Sequence, residues 1–564
     1  MLQKQKTTLT RLFSPFKKLT PSMQVGKLRH IRKLIQERKF QESILESVEL
    51  IGLALEGLSY YHNYDKLFLG ISICLGFIGW IIYIFTVLIH QHTNIIQRHS
   101  QLEKLRQSFW TSEKGLRMVF GMFGISVMAL LYAQSLPLNY YFYCLTPVIL
   151  WHKVAQRHQI LKDVYYYVVD SGYTRTAIIL ALTGLAGLEL IVWSFSYREL
   201  LSVGLVAMAA WSFIAEQTEK LIKRGWVISL LSLAVFPLLP VVGREPNYYL
   251  VYFGGVLALC CALYVCLREE TAIFSSSTYK RQKTRMLAAF QLLLVLLSVM
   301  ILYNTQSNIS EQRGLPLLNQ ILSWFILILS FIVPLFSSTV LYQRLFSIAL
   351  SFIPLYILLS TAHEVMFFLN LCFVMFFWLR MENTVREKKI AKVEYLDFRV
   401  SQRLGEVPRK LLLSDLRCAY FFIFFLFTAF FGTGNIASIN SFDPSSVLCF
   451  LTVFNPFVMG ALMMWKILVP FMLVTCMFNA VHLCVNVPTQ SLFLLVLLMS
   501  DVMALNFFFL VRDYGSWLEI GTSISHYVIV MAAIIFLNVL LTVSRVFTNF
   551  QIRLSRSRDT GKEQ

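Results

Sequence analysis

Several short polar signals interrupt an otherwise apolar chain, and each could carry chemistry. GTGN at 432–435 has the look of a glycine loop that cradles phosphate, where a following helix offers its free N–H groups to the anion. Glu189 in LAGLELIVW, Lys466 in GALMMWKILVPF and Asp501 in LVLLMSDVMALNFF are ionisable residues inside apolar runs. A charge at that depth is costly, so each marks a candidate functional site. Lys466 and Asp501 fall near the middle of consecutive antiparallel segments and are expected to meet as an ion pair. Such a pair could equally do no more than lock two helices together.

Other chemistries lack their residues. The ten histidines include one close pair, His90 and His92, and there is no H-E-x-x-H, no Cys/His cluster and no aspartate-rich run. No metal site built by this chain alone is expected. The His363-Glu364 dipeptide reads as an interfacial pair. No G-x-x-x-x-G-K-[ST] and no strand-flanked G-x-G-x-x-G is present either. After GTGN the chain runs through polar residues to Asp443-Pro444, an N-cap and first-turn signal, so the expectation is a connection ending in a capped helix. A lipid-headgroup contact through Asn435, Asn440 or Asp443 is the functional alternative.

The elements that must hold these residues follow from composition. Of 564 residues 57% are hydrophobic and 14% charged, against about 25% charged in soluble domains. Long continuous apolar runs, without dyad alternation, predict an all-α polytopic transmembrane bundle. About fifteen spans are expected (roughly 13 to 17), among them 67–89, 140–152, 200–215, 456–481, 491–511 and 526–545. The net charge of +19 is dispersed over short loops, which points to topology and not to nucleic acid. Lys and Arg concentrate on alternate loops, notably 381–417, and that side is read as cytoplasmic. The ten cysteines lie almost all in apolar runs without a C-x-x-C and read as small buried hydrophobes. Small residues such as Gly76, Gly79 and Gly187 read as close-packing positions.

Three regions are expected: 1–66, 67–545 as the multi-span domain, and a basic cytoplasmic tail at 546–564. Residues 1–66 are charged and amphipathic, with Leu28, Ile31, Leu34 and Ile35 on one stripe, and lack a signal-peptide pattern. Loop alternation puts this segment on the far side of the membrane, where its apolar stripe needs a partner.

FFGTGNIASINSFDPSSVLCFLTVFNPFVMGALMMWKILVPF at 430–471 resembles the membrane domain of the PIG-N family of GPI ethanolamine phosphate transferases. So do EGLSYYHNYDKLFLG at 56–70, VFPLLPVVGREP at 235–246, NTQSNISEQRGLPLLNQILSW at 304–324 and DYGSWLEIGTSISHYVIVM at 513–531. The resemblance implies a multi-pass endoplasmic-reticulum enzyme that moves phosphoethanolamine from phosphatidylethanolamine to the first mannose of a mannosylated GPI precursor. It also implies a luminal, alkaline-phosphatase-like head with zinc and a threonine nucleophile. Those head residues have no counterparts here, so residues 1–66 read as a helical remnant of that luminal domain, and the chain as a fragment, a truncated gene product or a short isoform. No catalytic residue, metal ligand or bound cofactor is expected of this chain, with zinc expected in the full-length family enzyme. The chain's own role is then to position lipid substrates through far-side loops, with Asp513, Tyr514, Trp517, Glu519 and His526 as further headgroup candidates. Tyr514 and Trp517 also suit an interface belt. A lipid transporter or scramblase without transferase activity is the competing reading.

Overall fold

The computed structural model describes residues 16–93, 113–134, 136–170, 172–214, 219–242, 246–267, 278–386, 396–399, 409–434, 444–453, 455–485, 487 and 489–552. Among the described residues the structure is helical, with one isolated bridge between Val340 and Asp397 and no strand. Asn435, Asn440 and Asp443 lie outside the described residues. The chain divides into two compact units, Met1–Ala177 and Ile178–Gln564.

The first unit begins with α1 (Pro21–Gln36) and α2 (Phe40–Asn63). Thr20 caps α1 and Pro21 sits in its first turn, where its missing N–H costs nothing. Of the expected stripe, Ile31 and Leu34 are buried while Leu28 and Ile35 stay exposed. Phe16, Leu19 and Tyr61 close a small core, and the Phe16 N–H donates to the Tyr61 hydroxyl. α3 (Lys66–His92), α4 (Glu113–Ala133) and α5 (Leu138–Gln156) follow, then the short α6 (His158–Asp170). Gly79 lets the Trp151 ring approach α3 closely, and Trp151 donates to the Leu75 carbonyl at 3.1 Å.

The remaining helices are α7 (Thr174–Ser194), within which the two units divide, α8 (Leu200–Ile214), α9 (Lys220–Leu233), α10 (Tyr248–Leu267), α11 (Thr278–Ser310), α12 (Leu317–Ile332), α13 (Leu341–Leu359), α14 (Glu364–Arg386), α15 (Leu413–Phe431), α16 (Pro456–Val485), α17 (Thr489–Leu510) and α18 (Trp517–Asn549). Twelve helices among the described residues are long and apolar enough to cross a membrane, and the bent α18 makes a thirteenth. The expected count of about fifteen exceeds this by the segments at 140–152 and 200–215. The first carries Tyr, Pro, His and Lys along α5, and α8 is too short. Most of the sequence of α13 is buried, whereas α7 turns a lipid-compatible apolar surface outward, so α13 is the central pillar of its unit. Gln291 of α11 is buried against that pillar and donates to Ser347 and Ser351 hydroxyls at 2.9 and 2.6 Å. Small hydroxyl residues there allow both close approach and interhelical bonds. All ten cysteines are free thiols.

Hydrogen bonds tie the connections of this unit into two sets, one at each end. At the basic-loop end Arg344 is fully buried. Its guanidinium donates to the carbonyls of Phe547 (2.6 Å), Phe550, Pro334 and Ser337 (3.3 Å). These include free carbonyls at the last turn of α18, which have no helical partner of their own. Arg399 adds bonds to Asn549 and Gln551, and Gln551 donates to Ser337. Nearby, Arg409 grips buried Asp415 and Arg417 grips buried Glu382 while lying over the Trp211 ring.

Arg344→Lys cannot reproduce the fork and leaves buried carbonyls unmet, which is expected to cost about 2–4 kcal/mol. Thermal unfolding of the detergent-purified chain checks this; an unchanged midpoint would show that the clamp is incidental.

Candidate functional site

At the opposite end the helices do not close tightly. α9 stops in the one-turn helix Phe236–Leu238, because Pro237 and Pro240 cannot continue an α-helical ladder. The residues that follow, 239–242 and 246–247, strap neighbouring helix ends together. The Val242 N–H donates to the Thr433 carbonyl at 3.3 Å, and the Asn247 N–H to the Thr361 carbonyl at 2.8 Å. Below this strap lies a cavity of about 1330 Å³ whose walls include Phe236, Tyr252, Tyr303, Gln306, His363 and Met366. That exceeds the roughly 300–1,000 Å³ of common small-molecule pockets and is large enough for a lipid headgroup with the start of its chains.

The polar floor of the cavity is built from the start of α14. His363 is 8% exposed, and its Nε2 has no hydrogen-bond partner. Gln306, from the last turns of α11, likewise presents a buried Nε2 without a partner. Beside His363, Glu364 is fully buried; its Oε2 accepts from the Thr361 N–H at 2.8 Å and its Oε1 lies 2.6 Å from Lys466 Nζ. The Lys466 contact is an ion pair off the axis of a hydrogen bond. Burial pushes the His363 pKa down; Glu364 opposes the shift and Arg198 adds to it. Burial thus favours the uncharged form of the His363 imidazole.

Arg198, between α7 and α8, donates to the Leu239 carbonyl and so fixes the strap. GTGN finds its explanation here. Gly434 has φ +71°, and a Cβ on it would come within 2.9 Å of Arg198 Nη1 and 2.8 Å of Val241. The turn is glycine because an arginine and the strap crowd against it, and because its backbone is left-handed. It is a packing turn and not a phosphate cradle.

Lys466 takes Glu364 as its partner in place of the expected Asp501. Both Lys466 and Asp501 are buried, but the carboxylate against Lys466 comes from α14, not from the next helix in sequence. The His363-Glu364 dipeptide is buried inside the protein at the start of α14. Glu189 is on an exposed face and accepts from Asn506. Glu519 forms a capping box with Ser516, each accepting the other's N–H, while Gly515 takes φ +112° just before it. Tyr514 and Trp517 are 75% and 92% exposed, and Asp513 is exposed beside them. His526 packs against the rings of Phe195 and Phe507. None of these candidates lines the cavity. Sequence reasoning gave Gln306 and Arg198 no site role and named His363-Glu364 only as an interfacial pair. A carboxylate opening one span and a lysine eleven residues into another was the available signal for the ion pair.

Buried ion pairs and twelve or thirteen helices long and apolar enough to cross a membrane define a polytopic membrane protein. The sequence matches the family Phosphatidylinositolglycan class N (PIG-N) over residues 56–516, and the chain belongs to that family. It is 46% identical over 561 residues to GPI ethanolamine phosphate transferase 1 of Homo sapiens, covering 98% of this chain and 59% of the relative. The Mus musculus protein of that name is 44% identical over 98% of the chain and 59% of the relative. That of Aspergillus oryzae is 31% identical over 97% and 56%. The chain thus spans less than two thirds of the curated relatives it matches. No solved structure matches.

Removing one member of the buried pair strands the other charge. Lys466→Met or Glu364→Leu alone is expected to cost about 3–5 kcal/mol, with the double variant recovering most of it. Additive losses in thermal unfolding would show that the two do not couple. His363 supplies a pH signature. Its folded pKa lies below the unfolded value of 6.5, so its neutral state favours folding above that pH and the advantage is lost as pH falls through the folded pKa. The unfolding midpoint should drop more steeply from pH 7 to pH 5 in the parent than in His363→Gln; parallel curves would exclude His363 as the source.

Proposed function

We propose that this chain is the membrane module of a phosphoethanolamine transferase of GPI-anchor biosynthesis, resident in the endoplasmic reticulum membrane. Its substrates are phosphatidylethanolamine and the mannosylated GPI precursor. The observation that carries the reading is the cavity walled by Tyr252, Tyr303, Gln306 and His363, in a chain whose relatives are named GPI ethanolamine phosphate transferase 1. By loop charge this end faces away from the cytoplasm, toward the lumen.

The module's contribution is positional. A lipid held at a fixed depth and orientation turns a bimolecular encounter into an effectively unimolecular one. The family's zinc chemistry calls for clustered ligands; among the described residues no group of three or more His, Cys, Asp or Glu side chains converges. The role proposed for this chain is to bind and orient lipid. A lipid-translocating reading has one observation in its favour, a second and largely apolar cavity of about 510 Å³ lined by α10, α13 and α14.

The test is a chimera in which this chain replaces the aligned stretch of the human relative, expressed in cells lacking that relative. Recovery of phosphoethanolamine-bearing GPI intermediates and of surface GPI-anchored proteins is expected. Stable membrane insertion without recovery would defeat the proposal, and rapid lipid exchange between leaflets by the chain alone in liposomes would favour the translocating reading.

A further inference from the structure

We infer that the cavity lined by residues 239–242 and 246–247 of the strap is a binding site for the phosphodiester of a membrane phospholipid, with His363 and Gln306 as its donors. This deepens the transferase reading, and rests on it for the choice of lipid, by naming the group recognised and the side chains that recognise it. Two independent observations meet at this cavity. His363 is more than nine-tenths buried, lines the cavity and leaves Nε2 without a partner. Gln306 lines it from a different helix and also leaves its buried amide nitrogen unmet. Leaving a buried polar group unmet costs about 1–3 kcal/mol, so two such groups on residues that line one void favour a ligand that accepts hydrogen bonds.

The charges nearby select among acceptors. Glu364 is occupied by Lys466 and by the Thr361 N–H, so it cannot hold a lipid ammonium group. Arg198 acts on His363 as a positive charge, against the larger negative one of Glu364, which Lys466 in turn pairs. A neutral imidazole N–H, a carboxamide N–H and a neighbouring cation together suit a monoanionic phosphodiester better than an amine. The rest of the wall suits the remainder of a lipid. Tyr303 and Tyr249 stand exposed at the rim, matching a headgroup level, while Phe236, Leu250 and Met366 supply apolar surface for the first methylenes.

Both an ethanolamine glycerophospholipid and an inositol phospholipid carry this group, and binding can tell them apart. The whole chain, purified in dodecyl maltoside, which has no phosphate, is titrated separately with phosphatidylethanolamine, phosphatidylinositol and diacylglycerol while thermal unfolding is followed. Either or both phospholipids should raise the midpoint saturably, with diacylglycerol far weaker; phosphatidylethanolamine alone identifies a donor-lipid seat, and phosphatidylinositol alone a seat for an inositol-linked acceptor. His363→Phe and Gln306→Ala should each weaken the response about tenfold, and His363→Gln, which restores an N–H donor, should retain most of it. Gln306 is only half-buried, so its variant keeps the test alive if His363→Phe does not fold. Equal stabilisation by diacylglycerol, or an undiminished phospholipid response in folded His363→Phe or Gln306→Ala, would overturn the inference. Because the readout is binding without turnover, a chain that binds phospholipid yet fails in the chimera would sink the transferase reading and leave this one standing.

Discussion

Hydrocarbon cannot hydrogen-bond, and this one constraint governs how the chain uses every polar residue it carries into the membrane. The cleanest case is Lys466 against Glu364, two fully desolvated charges brought together from helices distant in sequence. The same rule explains Arg344, whose guanidinium is spent wholly on main-chain carbonyls and hydroxyl groups at the ends of helices. It also explains why Asp415 and Glu382, both fully buried, face the arginines Arg409 and Arg417. Each pair fixes which helix ends may be neighbours, because any other arrangement would strand a charge. Packing then fills what the pairs have positioned, as in the stacked rings of Phe422 and Phe478.

The two ends of the larger unit obey the constraint differently. At the basic-loop end the arginine clamps tie α13, α15 and α18 through several bonds each, and a rigid floor results. At the other end prolines interrupt α9, the strap bridges helix ends with single main-chain bonds, and a cavity remains. Local conflicts with otherwise consistent packing are where function is expected in a well-folded protein. Unmet nitrogens of His363 and Gln306 at one void are such a conflict.

Much of the fold was legible in the sequence because apolar run length is a strong signal. The helices, their alternation and the all-α class follow from it, and thirteen spans fall at the lower edge of the expected 13 to 17, α5 and α8 being the two too polar or too short to count. The ionic partners were less legible. Lys466 announces that it needs a carboxylate, but proximity along the chain favours Asp501, and only three-dimensional packing brings α14 beside α16. Arg344, the fourth residue of a long apolar helix, has no local sequence signal for the carbonyls that surround it. GTGN was legible as a turn and misleading as a phosphate loop, since the feature that demands glycine, the crowding of Arg198 and Val241 at Gly434, comes from elsewhere in the chain.

The cavity was illegible for a related reason. His363 and Gln306 lie 57 positions apart by number and sit in unremarkable local contexts, one at a helix start and one near a helix end. What makes them a site is a shared empty volume, and volume is a property of how helices fail to close. The capping box of Ser516 and Glu519 shows the converse: a polar, aromatic-rich loop that reads as a contact surface, whose carboxylate serves its own helix terminus. In a lipid-facing protein polar residues near the interface are common and are answered locally, by caps and by water. Polar residues below a strap have no such recourse, so an unanswered nitrogen there carries more functional information than several exposed ones at a loop tip.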